Sequence, residues 1–65
     1  MQPHEERVVI EKQELDEKLA KLAVFSQGNS IYKELPNEDR ELLESQYLVM
    51  EQYSKILGQR IARFK

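Results

Sequence analysis

The sequence predicts an all-α fold: an antiparallel hairpin of two long helices with a short helical turn in the connection, assembled into a helical oligomer. Three observations predict it. Residues 43–64 carry a heptad stripe of Leu43, Gln46, Met50, Tyr53, Leu57, Arg60 and Phe64, spaced 3-4-3-4-3-4, and five of the seven are apolar or aromatic. Residues 3–26 hold nothing that breaks a helix after Pro3. Gln27-Gly28-Asn29-Ser30 is the obvious turn between them. The chain of 65 residues is read as one domain, 1–65. A chain this short buries a modest share of its surface, and self-association is a common remedy.

The first helix is expected over about 3–26. Pro3 suits a first turn, where its missing N–H is not needed. Glu5 and Glu6 follow where the helix dipole favours negative charge. The apolar face is Val8, Leu15, Leu19, Leu22 and Phe25, with a gap one turn after Val8 where Glu11 and Lys12 fall. Glu14 and Lys18, and Glu17 and Lys21, are four apart with the acid first, which marks a solvated face. Val9 and Ile10 extend the apolar surface beyond one stripe.

The connection is expected over about 27–35. Gly28 or Asn29 is placed to take the left-handed conformation that ends a helix. Residues 31–35 read as a helical turn that closes the hairpin with Ile31 and Leu35. The second helix is expected over about 36–63. Pro36 pushes the residue before it off helical geometry, and Glu38, Asp39 and Glu41 lie in the first turns. Residues 34–51 carry six acids and one base, whereas residues 55–65 carry Lys55, Arg60, Arg63 and Lys65 and no acid. That gradient complements the helix dipole, which is one sufficient reason for it.

Composition excludes several classes. There is no cysteine, so neither disulfides nor thiolate metal sites are available, and the cytoplasm is the expected location. No apolar run reaches the ~18–20 residues needed to cross a bilayer, so no membrane partner is expected. A net charge of −2 argues against general nucleic-acid binding. Enzyme signatures are missing. His4 is the single histidine, the serines have no second histidine to serve them, and no phosphate-cradling or metal motif occurs. The expectation is a non-enzyme with no cofactor and no metal.

The informative residues are polar ones on apolar stripes. Gln46 and Arg60 stand at inward positions of the second helix, and Lys12 lies beside the gap in the first. A buried charge must pair, reach solvent or meet a ligand. In an antiparallel hairpin, Arg60, Arg63 and Lys65 come near Arg7, Lys12 and the N–H groups that open the first helix. Guanidinium forks and helix N-termini both favour phosphates. Tyr53 and Phe64 offer aromatic faces for a base. Gly58, costly by ~1 kcal/mol in a helix interior, allows a close approach by a helix or a ligand. The candidate ligand-binding set is Arg7, Lys12, Tyr53, Arg60, Arg63 and Phe64.

The pattern of His4, Arg7-Val8, Glu11-Lys12, Leu15, Leu22, Phe25, Leu35-Pro36, Asp39-Arg40, Leu42-Leu43, Gln46, Met50, Tyr53, Leu57 and Arg60-Ile61 resembles a family of small tailed-phage proteins labelled after a crAss-like phage protein. More loosely, Glu11-Lys12 followed by Leu15 or Leu19, with the ending Ile61-Ala62-Arg63, is similar to the phage anti-CBASS sponges and the hairpin of related anti-Thoeris sponges. It departs from them in having no tryptophan in the second helix. The resemblance implies a helical oligomer that binds a cyclic oligonucleotide or a cyclic ADP-ribose-type signal without cleaving it. The reading from another class is a phage protein–protein interaction module, an adaptor or an inhibitor of a host defence protein, docking through Val9, Ile10, Tyr47, Leu48 and Val49.

Overall fold

The structure is a computed structural model that describes residues 1–64. It contains three helices, α1 (Pro3–Gly28), α2 (Ser30–Glu34) and α3 (Asn37–Ala62). Together they form a rod with extents of 47 × 15 × 14 Å. At ~1.5 Å per residue, helices of 26 residues account for most of that length.

Each helix starts and stops for a local reason. At the head of α1 the Gln2 carbonyl accepts from the N–H groups of Glu5 and Glu6, both at 3.0 Å. The Gln2 N–H donates to Glu5 Oε1 at 2.8 Å, which turns the Glu5 side chain inward and buries it. α1 runs to Gly28, two residues further than expected. Neither Gly28 nor Asn29 is left-handed; Asn29 is extended, at φ −72° and ψ 130°. The reason is that Asn29 starts the next helix. Its Oδ1 accepts from Ile31 N at 2.8 Å, the side-chain bond that opens α2. The residue closing the hairpin also differs from expectation. Ile31 is 62% exposed, and Tyr32 instead meets Phe25 edge-on, with ring centroids 5.5 Å apart. Leu35 is half-buried, as a closing residue should be. Pro36 is extended and hands the chain to α3.

α1 and α3 pack side by side and run antiparallel. Ser54 Oγ donates to Asp16 Oδ1 at 2.5 Å, and the Lys12 side chain lies over Gly58. These two pairs set a one-for-one register, so that Arg7 falls at the level of Arg63 and Leu19 at the level of Glu51. The core is Val8, Leu15 and Leu57, with Leu19, Met50, Ile61 and Phe64 packed against it. Leu57 is fully buried.

Half of the expected stripe on α3 is confirmed and half is corrected. Leu43, Met50, Leu57 and Phe64 face α1. Gln46, Tyr53 and Arg60 do not; all three are exposed, and the adjacent Tyr47, Ser54 and Ile61 take the inward positions. Steps of three and four residues both return to roughly the same side of a helix. The choice between them falls to side-chain chemistry. Facing Tyr47 and Ile61 inward removes apolar surface from water. Facing Gln46 and Arg60 inward would bury an amide and a charge.

The corrected seam makes a paired prediction. Leu57→Ala empties the most buried position and costs about 2–5 kcal/mol, lowering the melting temperature by at least ~10 °C in a domain of this size. Arg60→Ala changes stability by no more than ~0.5 kcal/mol, as expected for a surface position. Thermal melts followed by circular dichroism read both.

Candidate anion-binding flank

One step back along a helix turns about 100° around its axis. The residues that precede the seam positions therefore share one side of each helix. On α3 these are Leu42, Gln46, Val49, Tyr53, Ile56, Arg60 and, just past the helix end, Arg63. On α1 they include Arg7, Glu11 and Glu14. Because the helices run antiparallel, both sets turn to the same face of the hairpin. Residues that follow seam positions, such as Asp16 and Gly58, lie on the opposite face.

This arrangement brings four of the six expected ligand-binding residues to one face. Arg7, Arg60 and Arg63 are exposed, and Tyr53 is 41% exposed. Arg63 caps the C-terminal end of α3, with its N–H on the Arg60 carbonyl at 3.1 Å. Tyr53 stands two turns from Arg60, about 10 Å along the axis. None of the three arginines is ion-paired among the described residues, where the one salt bridge is Lys12–Asp16. Lys65 lies outside the described residues.

The other two expected residues are placed elsewhere. Lys12 Nζ donates to Asp16 Oδ2 at 2.7 Å, and that carboxylate also accepts from Ser54. The Lys12 head is thus engaged on the opposite face, away from the arginines. Its stem explains Gly58: a Cβ added there would lie 3.3 Å from Lys12 Cε, so the close approach is made by the chain's own lysine. Phe64 is half-buried against the Val8–Leu57 cluster and serves as core. The start of α1 contributes less to an anion site than expected, since the N–H groups of Gln2, Glu5 and Glu6 are already bonded within the capping turn.

A feature that sequence reasoning missed sits at the other end of the rod. Tyr32, Asn37, Arg40, Glu41 and Glu44 line an open depression of about 340 Å³. A narrower cleft of about 50 Å³, lined by Leu22, Ser26, Tyr32, Leu43, Glu44 and Tyr47, adjoins it. The Arg40 guanidinium donates to Asn37 Oδ1, and two carboxylates flank it. Such a lining disfavours an anion. Nothing in the sequence pattern marked it, because it depends on where α2 sets Tyr32. Among the described residues no cluster of three or more His, Asp or Glu is placed to hold a metal ion. No helix among them is long and apolar enough to cross a membrane.

A family model described as Sequestin matches residues 2–63. The chain belongs to the Sequestin family. The match spans α1, α2 and all of α3, including every residue of the arginine flank. Comparison with curated proteins and with solved structures gave no match.

The polar node at the middle of the hairpin generates a pH prediction. The Asp16 carboxyl is held below its ordinary value of 3.8, first by the Lys12 hydrogen bond and then by that from Ser54. A lowered value in the folded state favours folding when the carboxylate is charged. The contribution is therefore complete above 3.8 and is lost as the pH falls through the lower folded value. Asp16→Asn should be less stable than the parent near neutrality, and the difference should shrink in acid well below 3.8, read by melts at both conditions.

Proposed function

We propose that this Sequestin-family chain is a phage-encoded, non-enzymatic anti-defence protein. It binds and sequesters a cyclic nucleotide second messenger of host immunity, a cyclic oligonucleotide or a cyclic ADP-ribose-type molecule. It acts in the host-cell cytoplasm as a helical homo-oligomer. The observation that carries this reading is the flank on which Arg7, Arg60 and Arg63 stand exposed with no ion pair among the described residues. Guanidinium groups bind phosphates as forks, with charge-assisted hydrogen bonds. Tyr53 on the same face supplies a ring on which a base stacks. The family name, which suggests sequestration of a ligand, fits binding without turnover.

A second reading, an adaptor or an inhibitor of a host defence protein, draws on exposed apolar residues. Ile10, Leu48 and Val49 are 51%, 62% and 68% exposed. Tyr47, expected on that surface, belongs to the seam instead. Ile10 and Leu48 stand on different helices and away from the arginine flank, so they form no continuous patch with Val49.

Calorimetry against cyclic di- and trinucleotides and cyclic ADP-ribose isomers tests the first reading. Folded protein is expected to bind at least one of them. Arg7→Glu and Arg63→Glu should each weaken that binding by about tenfold or more, equivalent to ~1.4 kcal/mol, with unchanged helicity. Mass spectrometry of the ligand released on heating should find it intact. Folded protein that binds no member of the panel contradicts the reading, and a cleaved ligand contradicts its non-enzymatic part.

A further inference from the structure

The flank of α3 has a second property, independent of its arginines. Leu42, Val49 and Ile56 repeat every seven residues and are 69%, 68% and 52% exposed. With Tyr53 they form an apolar stripe parallel to the buried seam, displaced from it by one residue. No charged residue falls on this flank between Asp39 and Arg60. Glu44, Glu51 and Lys55 all lie on the opposite face, following seam positions. The flank begins at the acidic Glu38 and Asp39 and ends at the basic Arg60 and Arg63.

The outward surface of α3 centred on Val49, which takes in Ser45 and Gln52 beside this flank, is close to a palindrome about Val49. Counting outward, Gln46 answers to Gln52, Ser45 to Tyr53, Leu42 to Ile56, and Glu38 to Arg60. Amide stands opposite amide, apolar opposite apolar, and acid opposite base. Such a surface is complementary to itself in one orientation only, antiparallel, with a two-fold axis through Val49. That is the requirement of an isologous interface, in which the same patch serves both subunits. A parallel pairing would instead set acid against acid and base against base, which is unfavourable.

We infer that a second copy of this chain docks on the Leu42–Val49–Ile56 flank, α3 against α3, antiparallel about Val49. Leu42 of each copy packs on Ile56 of the other, and Glu38 pairs with Arg60 across both ends. Among the described residues the hairpin's own core holds three buried apolar side chains, so covering a second stripe adds apolar burial that one chain lacks. Arg7 and Arg63 stay outside the palindrome, at the rim, and each end of the dimer repeats them; in the dimer Arg60 is taken up by Glu38 of the other copy, so phosphate binding there falls to Arg7 and Arg63. The inference deepens the self-association in the reading above and does not depend on any ligand.

Cysteine cross-linking and sedimentation equilibrium on the full chain test it. The chain has no cysteine, so single substitutions report cleanly. A residue on the two-fold axis faces its own copy within disulfide reach, whereas one two turns away does not. Val49→Cys should therefore form a disulfide dimer under mild oxidation, and Leu42→Cys should not. Glu38→Arg and Arg60→Glu should each weaken the dimer about tenfold, and the two together in one chain should restore it. Circular dichroism checks that these exposed substitutions leave the helices intact.

A wild-type chain that sediments as a monomer up to its solubility limit overturns the inference. So does an oligomer in which Val49→Cys cross-links no better than Leu42→Cys, or in which the double exchange gives no recovery. The last two outcomes leave self-association standing through another surface. Ligand calorimetry is read separately from all of them.

Discussion

Between two long helices, the Ser54 hydroxyl donates to Asp16 at 2.5 Å, and Asp16 is gripped from its own helix by Lys12. Burying Tyr47 and Ile61 in place of Gln46 and Arg60 favours one setting of α3 toward its ends, but at the middle apolar burial alone would favour Tyr53 over Ser54. A hydrogen bond, unlike burial, has direction. With Ser54 turned toward α1, Tyr47 and Ile61 follow it into the seam, and Tyr53, Val49 and Arg60 are turned out. Gly58 belongs to the same arrangement, since the Lys12 stem passes where a side chain would stand. The exposed flank therefore follows from one rotational choice made at the polar middle of the hairpin.

Much of the fold was legible in the chain. Pro3, the Gln27–Ser30 turn and Pro36 bracket the helices to within two residues, because each acts through local backbone geometry. The apolar face of α1 was legible too, since Leu15, Leu19 and Leu22 have no competing stripe. The rotational setting of α3 was not. Leu43, Met50 and Leu57 are compatible with partners three or four residues away, and a tyrosine at position 53 looks a better core residue than a serine at 54. What favours Ser54 is Asp16, 38 residues distant, a pairing that no local pattern announces. Ile31 and Tyr32 show the same limit, for Tyr32 is held by a ring on another helix.

The candidate site was legible as charge and illegible as geometry. The basic end of α3 and the position of Arg7 follow from composition and an antiparallel path. Lys12 was grouped with them because its sequence neighbours sit near the same end. Its side chain instead reaches Asp16, one turn on, and is spent on the hairpin's own stability. Phe64 is likewise drawn into the core. What remains on that face is three arginines with no ion pair among the described residues, one aromatic ring, and an apolar stripe on α3 between acidic and basic ends, with Glu11 and Glu14 of α1 beside it. Sequestration of a phosphate-bearing ligand and pairing of two copies both draw on that face: pairing takes the apolar stripe of α3 together with Arg60, and Arg7 and Arg63 at the rim are left for phosphates.

The claim on which the rest hangs is that α3 is set with Ser54 toward α1 and Tyr53 away from it. A nuclear Overhauser spectrum of the folded protein in solution reads this directly. The account predicts cross-peaks from the Ile61 methyls to the Val8–Leu57 cluster, and none from the Tyr53 ring to Leu15 or Leu19 of α1. Cross-peaks from Tyr53 to those leucines, with Ile61 showing no contact to α1, would contradict it.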